Sequence, residues 1–258
     1  MTLREFALNK WVLRATSILI VLAAWQYVGS RINPIFLSTP TAIAVAFGKT
    51  IASGELISAV AASLGVTAAG FLIALVIGVP IGLLMGRFRV IEYVLDPYVS
   101  ALYVVPRIAL IPLIIIWAGL GIKAQIVVVF GTTVFPILLS TFAGVRHVDS
   151  RLIETAYSFG ASEKQLFFKV IIPGAVPFIM SGLRLGIGQA IIGMIVAQMF
   201  LGIAGMGFML TNYGNQFATD YVFVVVLALA ALGIFLTEMV KFVESRFNHW
   251  KPDERIRG

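Results

Sequence analysis

The chain has 258 residues, of which 60% are hydrophobic and 12% charged, with a formal net charge of +7 and no cysteine. Soluble domains keep about 25% of their residues charged, so these proportions exclude a water-soluble fold, and the lack of cysteine excludes disulfides, thiolate nucleophiles and cysteine-held metals. The basic surplus would suit a nucleic-acid binder, but its spacing along the chain is that of a membrane topology, and no nucleic-acid partner is expected.

Apolar runs near the ~20 residues that cross a bilayer stand at about 15–29, 59–86, 98–118, 124–145, 174–201 and 221–243. They predict an all-α polytopic protein with six transmembrane helices. No stretch remains for a soluble domain, so residues 1–258 are read as one transmembrane domain. Arg4, Lys10 and Arg14 precede the first run, as in a signal peptide, but no small-x-small cleavage site follows; the run is read as a retained span. Next, Thr39 can cap a helix with Pro40 at its first position and Gly54 as its stop, which predicts a short amphipathic helix over 40–53 on the outer face.

Span 2 carries Gly70, Ala74, Gly78, Gly82 and Gly86, a small residue every four positions. That spacing bares one helix face and predicts close approach by a neighbouring helix. Pro106 and Pro112 lie in span 3, Pro136 in span 4, and Pro173 and Pro177 open span 5. Each proline removes a backbone donor and bends its helix. Broken helices survive in a membrane where they line protein or a water-filled cavity, so the pattern fits a transport pathway better than an anchor. The segment 202–220 is glycine-rich, polar and free of basic residues, and is read as an outer loop.

Between spans 4 and 5 lies a charged loop, 146–173, too polar for the membrane. Asp149 or Ser150 can cap a first helix and Gly160 can end it in the left-handed conformation. Ser162 and Gln165 have the spacing of a capping box, so a second short helix is expected, with Pro173 marking the entry to span 5. Tyr157, Phe159, Phe167 and Phe168 would stand out as apolar knobs, placed either in a groove on a partner or in the lipid interface. With the N-terminus inside, the inner segments hold fourteen of the nineteen basic residues: three before span 1, two after span 2, four in the loop and five after Glu238. The outer segments hold Arg31, Lys49 and Lys123. This asymmetry places both termini and the loop in the cytoplasm. His147 and His249 fall at the cytoplasmic boundary, leaving no histidine in the membrane for a metal or a Ser–His dyad. An intramembrane hydrolase is thereby disfavoured.

Glu154-Thr155-Ala156, three residues, Gly160, nine residues and Val170-Ile171-Ile172-Pro173 resemble the E-A-A-x3-G-x9-I-x-L-P loop of bacterial ABC-importer permeases. Thr155, Val170 and Ile172 are conservative departures. Pro106-Arg107-Ile108-Ala109-Leu110-Ile111-Pro112-Leu113, Trp117-Ala118-Gly119-Leu120-Gly121, Ser181-Gly182-Leu183-Arg184 and Gly205-Met206-Gly207 are similar to the nitrate/sulfonate/taurine group of these permeases. Many of that group carry Glu where this chain has Gln198.

The resemblance implies the transmembrane domain of a type I importer in the bacterial inner membrane. A homodimer would form the pathway, two copies of a separate ABC ATPase would grip the 146–173 loops, and an extracytoplasmic substrate-binding protein would deliver cargo. The chain holds no G-x-x-x-x-G-K-[ST] phosphate loop, so it is not expected to be an enzyme or to carry a cofactor. ATPase coupling falls to Glu154, Ala156, Phe159, Gly160, Phe167 and Pro173. Glu154 either orders the loop within the chain or contacts the partner.

Candidate pathway residues are Arg107, Arg184, Gln198 and Met194. Charges inside spans default to functional candidates. Arg107 offers a donor fork to an anion, or else snorkels or binds a carbonyl. Arg184 favours a structural role, Gln198 either faces the pathway or bridges two helices, and Glu238 snorkels or pairs with Lys241. Met194, Met199, Met206 and Met209 form either a soft lining or ordinary packing. The expected cargo is a small anion such as a sulfonate, taurine or nitrate. Heteroaromatic vitamin precursors and riboflavin, served by similar permeases, are the alternative. An ion-coupled secondary transporter would need titratable groups at the bilayer midplane, which the spans do not clearly offer.

Overall fold

A computed structural model describes residues 10–247. Arg4, His249, Lys251, Arg255 and Arg257, invoked above, lie outside them. Regular structure among the described residues is helical throughout. Helix α1 (Lys10–Gly29) is followed by α2 (Pro40–Ala52), α3 (Glu55–Arg87) and α4 (Arg89–Val104). A 3₁₀ turn (Arg107–Leu110) leads into α5 (Ile111–Ala118), then α6 (Ile122–Arg146), α7 (Ser150–Ser158) and α8 (Glu163–Leu166). A π-helical turn (Phe167–Ile171) joins α8 to α9 (Ile172–Leu201), and α10 (Met206–Asn215) and α11 (Thr219–Phe247) complete the order.

Local chemistry accounts for the helix ends. The Thr39 hydroxyl accepts from the Ala42 N–H at 3.3 Å, Pro40 occupies the first turn of α2, and Gly54 leaves that helix at φ +76°. Asp149 caps α7 by accepting from the Arg151 N–H. Gly160 at φ +76° turns the chain, and Ser162 and Gln165 form a reciprocal capping box at α8. All of these agree with the sequence reading.

Two expectations need correction. The third span, read over 98–118 with proline bends, begins nine residues earlier, at Arg89. It breaks at Val105 and Pro106, both extended, and its halves meet at 91°. Proline forces the residue before it out of the helical region, whereas Pro112, in the first turn of α5, needs no N–H and causes no break. Nor does Pro173 separate a short loop helix from span 5: residues Glu163–Leu201 run as one 39-residue helical rod. Pro173 cannot donate to the carbonyl four residues back. The π turn lies directly upstream of it and loosens the hydrogen-bond ladder there.

The connections decide how often the chain crosses the membrane. Arg87 at the end of α3 pairs with Glu163 at the start of α8, and Arg146 at the end of α6 pairs with Glu92 at the start of α4. These four termini therefore share one end of the bundle, the end that carries the 146–173 loop. At the far end, the Gly121 N–H donates to the Leu201 carbonyl at 3.1 Å, joining the start of α6 to the end of α9. The bent pair α4–α5 must then run from the loop end to the far end, so it is a broken span and not a re-entrant hairpin. With α1, α3, α6, α9 and α11, each long and apolar enough to cross, the chain makes six crossings.

Helix α6 is the central rod, clasped by α3 and α9. The small-residue stripe of α3 faces it. A Cβ added at Gly70 would lie 2.5 Å from Val129 Cγ1, one at Gly82 2.5 Å from the Leu138 carbonyl oxygen, and one at Gly86 2.5 Å from Val145 Cβ. Helix α9 meets an adjoining face of α6 in the same way: at Gly193 a Cβ would lie 2.3 Å from Thr132 Oγ1, and Ile137 is met by both Gly78 and Gly186. Helix α1, by contrast, is exposed along nearly its whole length. It is tied down at the far end, where Trp25 Nε1 donates to the Ser38 carbonyl at 3.0 Å and its ring lies 5.4 Å from Phe223.

Candidate functional site

The loop between α6 and α9 is braced at its base and free at its tip. Leu166 and Ile171 are buried with Leu83, Val145 and Ala175. Ala156 and Phe167 pack against that cluster, seating the loop on the ends of α3, α6 and α9. Above it, the Tyr157 hydroxyl donates to Glu163 Oε1 at 2.5 Å, and Arg87 binds both the Tyr157 oxygen (3.3 Å) and the Glu163 carboxylate. The Tyr157 and Arg87 hydrogen bonds hold the Glu163 carboxyl below the usual carboxylate range, and Glu163 in turn pushes the Tyr157 phenol up. The tip is different. Phe159 is 87% and Phe168 65% exposed. Glu154 is exposed, and its carboxylate has no hydrogen-bond or ion-pair partner among the described residues. Gly160 and Pro173 are exposed as well. An apolar ring beside an unpaired carboxylate on a rigid base suits insertion into a partner.

A second feature lies at mid-depth, inside the bend of α4–α5. Pro106, Arg107 and Ile108 form one side of a cavity of about 200 Å³, Val128 and Thr132 of α6 its floor, and Gln189, Ile192, Gly193 and Val196 of α9 the other side. The Arg107 guanidinium carbon lies 5.5 Å from the Tyr103 ring centroid and 5.6 Å from that of Phe135, within cation–π reach of both neighbouring rings. One terminal nitrogen donates to the Tyr103 carbonyl at 3.4 Å, freed by the helix break, while buried Nε has no partner. A partly exposed arginine halfway through a bilayer is costly unless it faces protein or water.

The sequence relatives fit these two features. Residues 78–249 match the family described as "Binding-protein-dependent transport system inner membrane component". The chain belongs to this family. The permease is 35% identical over 254 residues to a protein of Escherichia coli (strain K12) named as the aliphatic sulfonates transport permease SsuC, covering 96% of this chain and 97% of that one. It is 30% identical over 238 residues to the taurine transport system permease protein TauC of the same strain, covering 90% and 86%. Its fold matches a chain of an inward-facing MetNI methionine ABC transporter structure with a TM-score of 0.65 at 20% identity, over 75% of this chain and 96% of that one. The fold is the type I importer transmembrane fold that the loop pattern led us to expect.

The remaining candidates of the permease are all inside the subunit or at its edge. Met194 is fully buried in the main core with Val129, Ile187 and Met206. Gln198 is also fully buried. Its Oε1 accepts from Ser63 Oγ (2.8 Å) and the Gly207 N–H (3.1 Å), Ser63 Oγ accepts from the Met206 N–H (2.9 Å), and Nε2 has no partner. The knot pins the 202–207 segment between α3 and α9. Arg184 is paired with Glu244 of α11, and Glu238 with Lys241 at 2.6 Å. Met206 and Met209 lie in the core, while Met199 is 39% exposed.

Sequence reasoning missed Ser63, the Arg87–Tyr157–Glu163 clamp, and Thr132 and Gln189 of the groove. Ser63 had a signal, since it lies seven residues, about two helical turns, before Gly70 and so shares the face of the small-residue stripe. The clamp and the groove had none, because they join positions far apart in the chain.

Proposed function

We propose that two copies of this chain form the translocation pathway of an ATP-driven importer for a small organic or inorganic anion, such as a sulfonate, taurine or nitrate. The 146–173 loop docks on each of two copies of a separate ABC ATPase. Glu154, Phe159 and Gly160 make the contact; Ala156, Phe167 and Pro173 fix the loop on the bundle. The observation that carries this reading is the loop itself: an unpaired Glu154 and an exposed Phe159 on a base clamped to the ends of three core helices. A binding protein at the far end delivers cargo, and the loop end faces the cytoplasm with both termini. The continuous helical run from Glu163 to Leu201 carries displacement of the loop into the bundle. ATP acts by favouring one of two states of the assembly through differential binding.

Within the subunit, Arg107 is the contact to the anion. Arg184 holds α9 to α11. Gln198 locks the far-end segment, and Met194 lies behind the pathway wall as packing that must move with it. Membership in the binding-protein-dependent family and the names of the relatives support import of sulfonates or taurine. The test is ATP-dependent uptake of radiolabelled ethanesulfonate into proteoliposomes containing the permease, its ATPase and its binding protein. Uptake that requires all three components is expected. If a pyrimidine precursor is taken up and ethanesulfonate is not, the cargo assignment fails and the heteroaromatic alternative replaces it. If uptake follows an ion gradient without ATP, the importer reading fails.

A further inference from the structure

The groove beneath the α4–α5 bend combines polar groups with an apolar stretch of α9. Arg107 has an orphaned, buried Nε, the half-buried Gln189 side chain has no partner among the described residues, and the Thr132 hydroxyl donates to the Val129 carbonyl at 2.9 Å. Ile192 and Val196, one and two turns beyond Gln189 on the same face of α9, present only hydrocarbon. The Tyr103 and Phe135 rings both lie within cation–π distance of the guanidinium. Thr132 is eleven residues into α6 and Gly193 nine residues from the end of α9, which at 1.5 Å per residue places the groove roughly 15 Å from the far end. This is the depth at which a pathway serving both faces must be read.

We propose that this groove is a selectivity subsite for an anion carrying a short unbranched aliphatic tail. The head sits on Arg107 Nε and the Gln189 amide, and the tail lies along Ile192 and Val196. The assignment rests on the organic-anion reading above and narrows it. A bare inorganic anion leaves the apolar wall wetted or empty. Neither Gln189 nor Ile192 contributes to the loop or to the Gln198 knot, so both can be changed without touching docking.

The experiment compares methanesulfonate and butanesulfonate uptake by the complete complex in proteoliposomes, with the same binding protein throughout. In the variants only the permease changes. Ile192→Phe fills the apolar end, and we expect the butanesulfonate-to-methanesulfonate ratio to fall about tenfold, the scale on which a pocket discriminates methylene groups. Gln189→Leu, which removes a head-group donor and extends the apolar wall, raises that ratio. Arg107→Lys lowers uptake of both by about tenfold, because a point charge cannot replace a planar fork. Co-purification of the ATPase serves as the control for assembly in all three. A structural role alone would reduce both substrates in proportion, so an unchanged ratio in Ile192→Phe and Gln189→Leu overturns the subsite while leaving the importer reading intact. Failure of the wild-type complex to move any alkanesulfonate overturns the organic-anion reading first and this assignment with it.

Discussion

Gln198 shows how much one neutral side chain organises. Its carboxamide oxygen takes two hydrogen bonds, from Ser63 on α3 and from the Gly207 backbone, and a Cβ added at Gly205 or Gly207 would collide with the side chain. Replacing it with leucine leaves the Ser63 hydroxyl and the Gly207 N–H buried without an acceptor, at about 1–3 kcal/mol each. We expect Gln198→Leu to lower the thermal midpoint of the purified permease by several degrees. Ser63→Ala leaves the Gln198 oxygen satisfied by Gly207 but strands one buried donor, the Met206 N–H, where Gln198→Leu strands two, and should cost less. A charged residue makes the contrasting case. The Glu163 carboxyl is held below its ordinary range by Tyr157 and Arg87. The stabilisation it gives the loop is therefore present above the ordinary carboxylate range and is lost as pH falls through the lowered value. Amide hydrogen exchange over 150–163 should accelerate in strong acid, and Glu163→Gln should show the fast rate already at neutral pH.

At the scale of elements, the α3–α6–α9 triad depends on backbone contact. Gly82 brings α3 onto the Leu138 carbonyl and Thr141, so Gly82→Leu must push the helices apart. Overpacking of that kind costs about 1–3 kcal/mol or more, and loss of a monodisperse detergent-solubilised protein is the expected outcome. Gly131→Ala, where a Cβ meets nothing within 4 Å, should be silent in the same assay. The stripe on α3 was legible in the sequence because a four-residue period of small side chains has one physical use. The caps at Thr39, Asp149 and Ser162 were legible because each is decided within four residues. Two things were not. Pro106 announced a break but not its 91° angle, which depends on where α6 and α9 seat the far half. Pro173 read as a boundary, yet a single π turn lets the rod pass through it. The loop's place in the sequence was visible in advance, but its clamp was not, since Arg87 lies 76 residues from Glu163.

Over the whole molecule, basic side chains gather at one end. Arg87, Arg89, Arg146, Arg151, Lys164 and Lys169 stand at the loop end, against Arg31, Lys49 and Lys123 at the far end. This geometric split agrees with the positive-inside reading. It predicts that a membrane-impermeant maleimide labels Lys49→Cys in intact cells and labels Arg151→Cys only after permeabilisation. The chain has no native cysteine, so each variant carries one reporter. The same property allows the docking claim to be measured directly. A Phe159→Cys permease is assembled with its ATPase, into whose permease-facing groove single cysteines have been introduced, and oxidised under mild conditions. The account predicts a disulfide-linked permease–ATPase species whose yield changes when ATP is added, and none from Leu185→Cys on the exposed side of α9. A complex that assembles and transports but never cross-links from position 159, or cross-links equally from position 185, would contradict it.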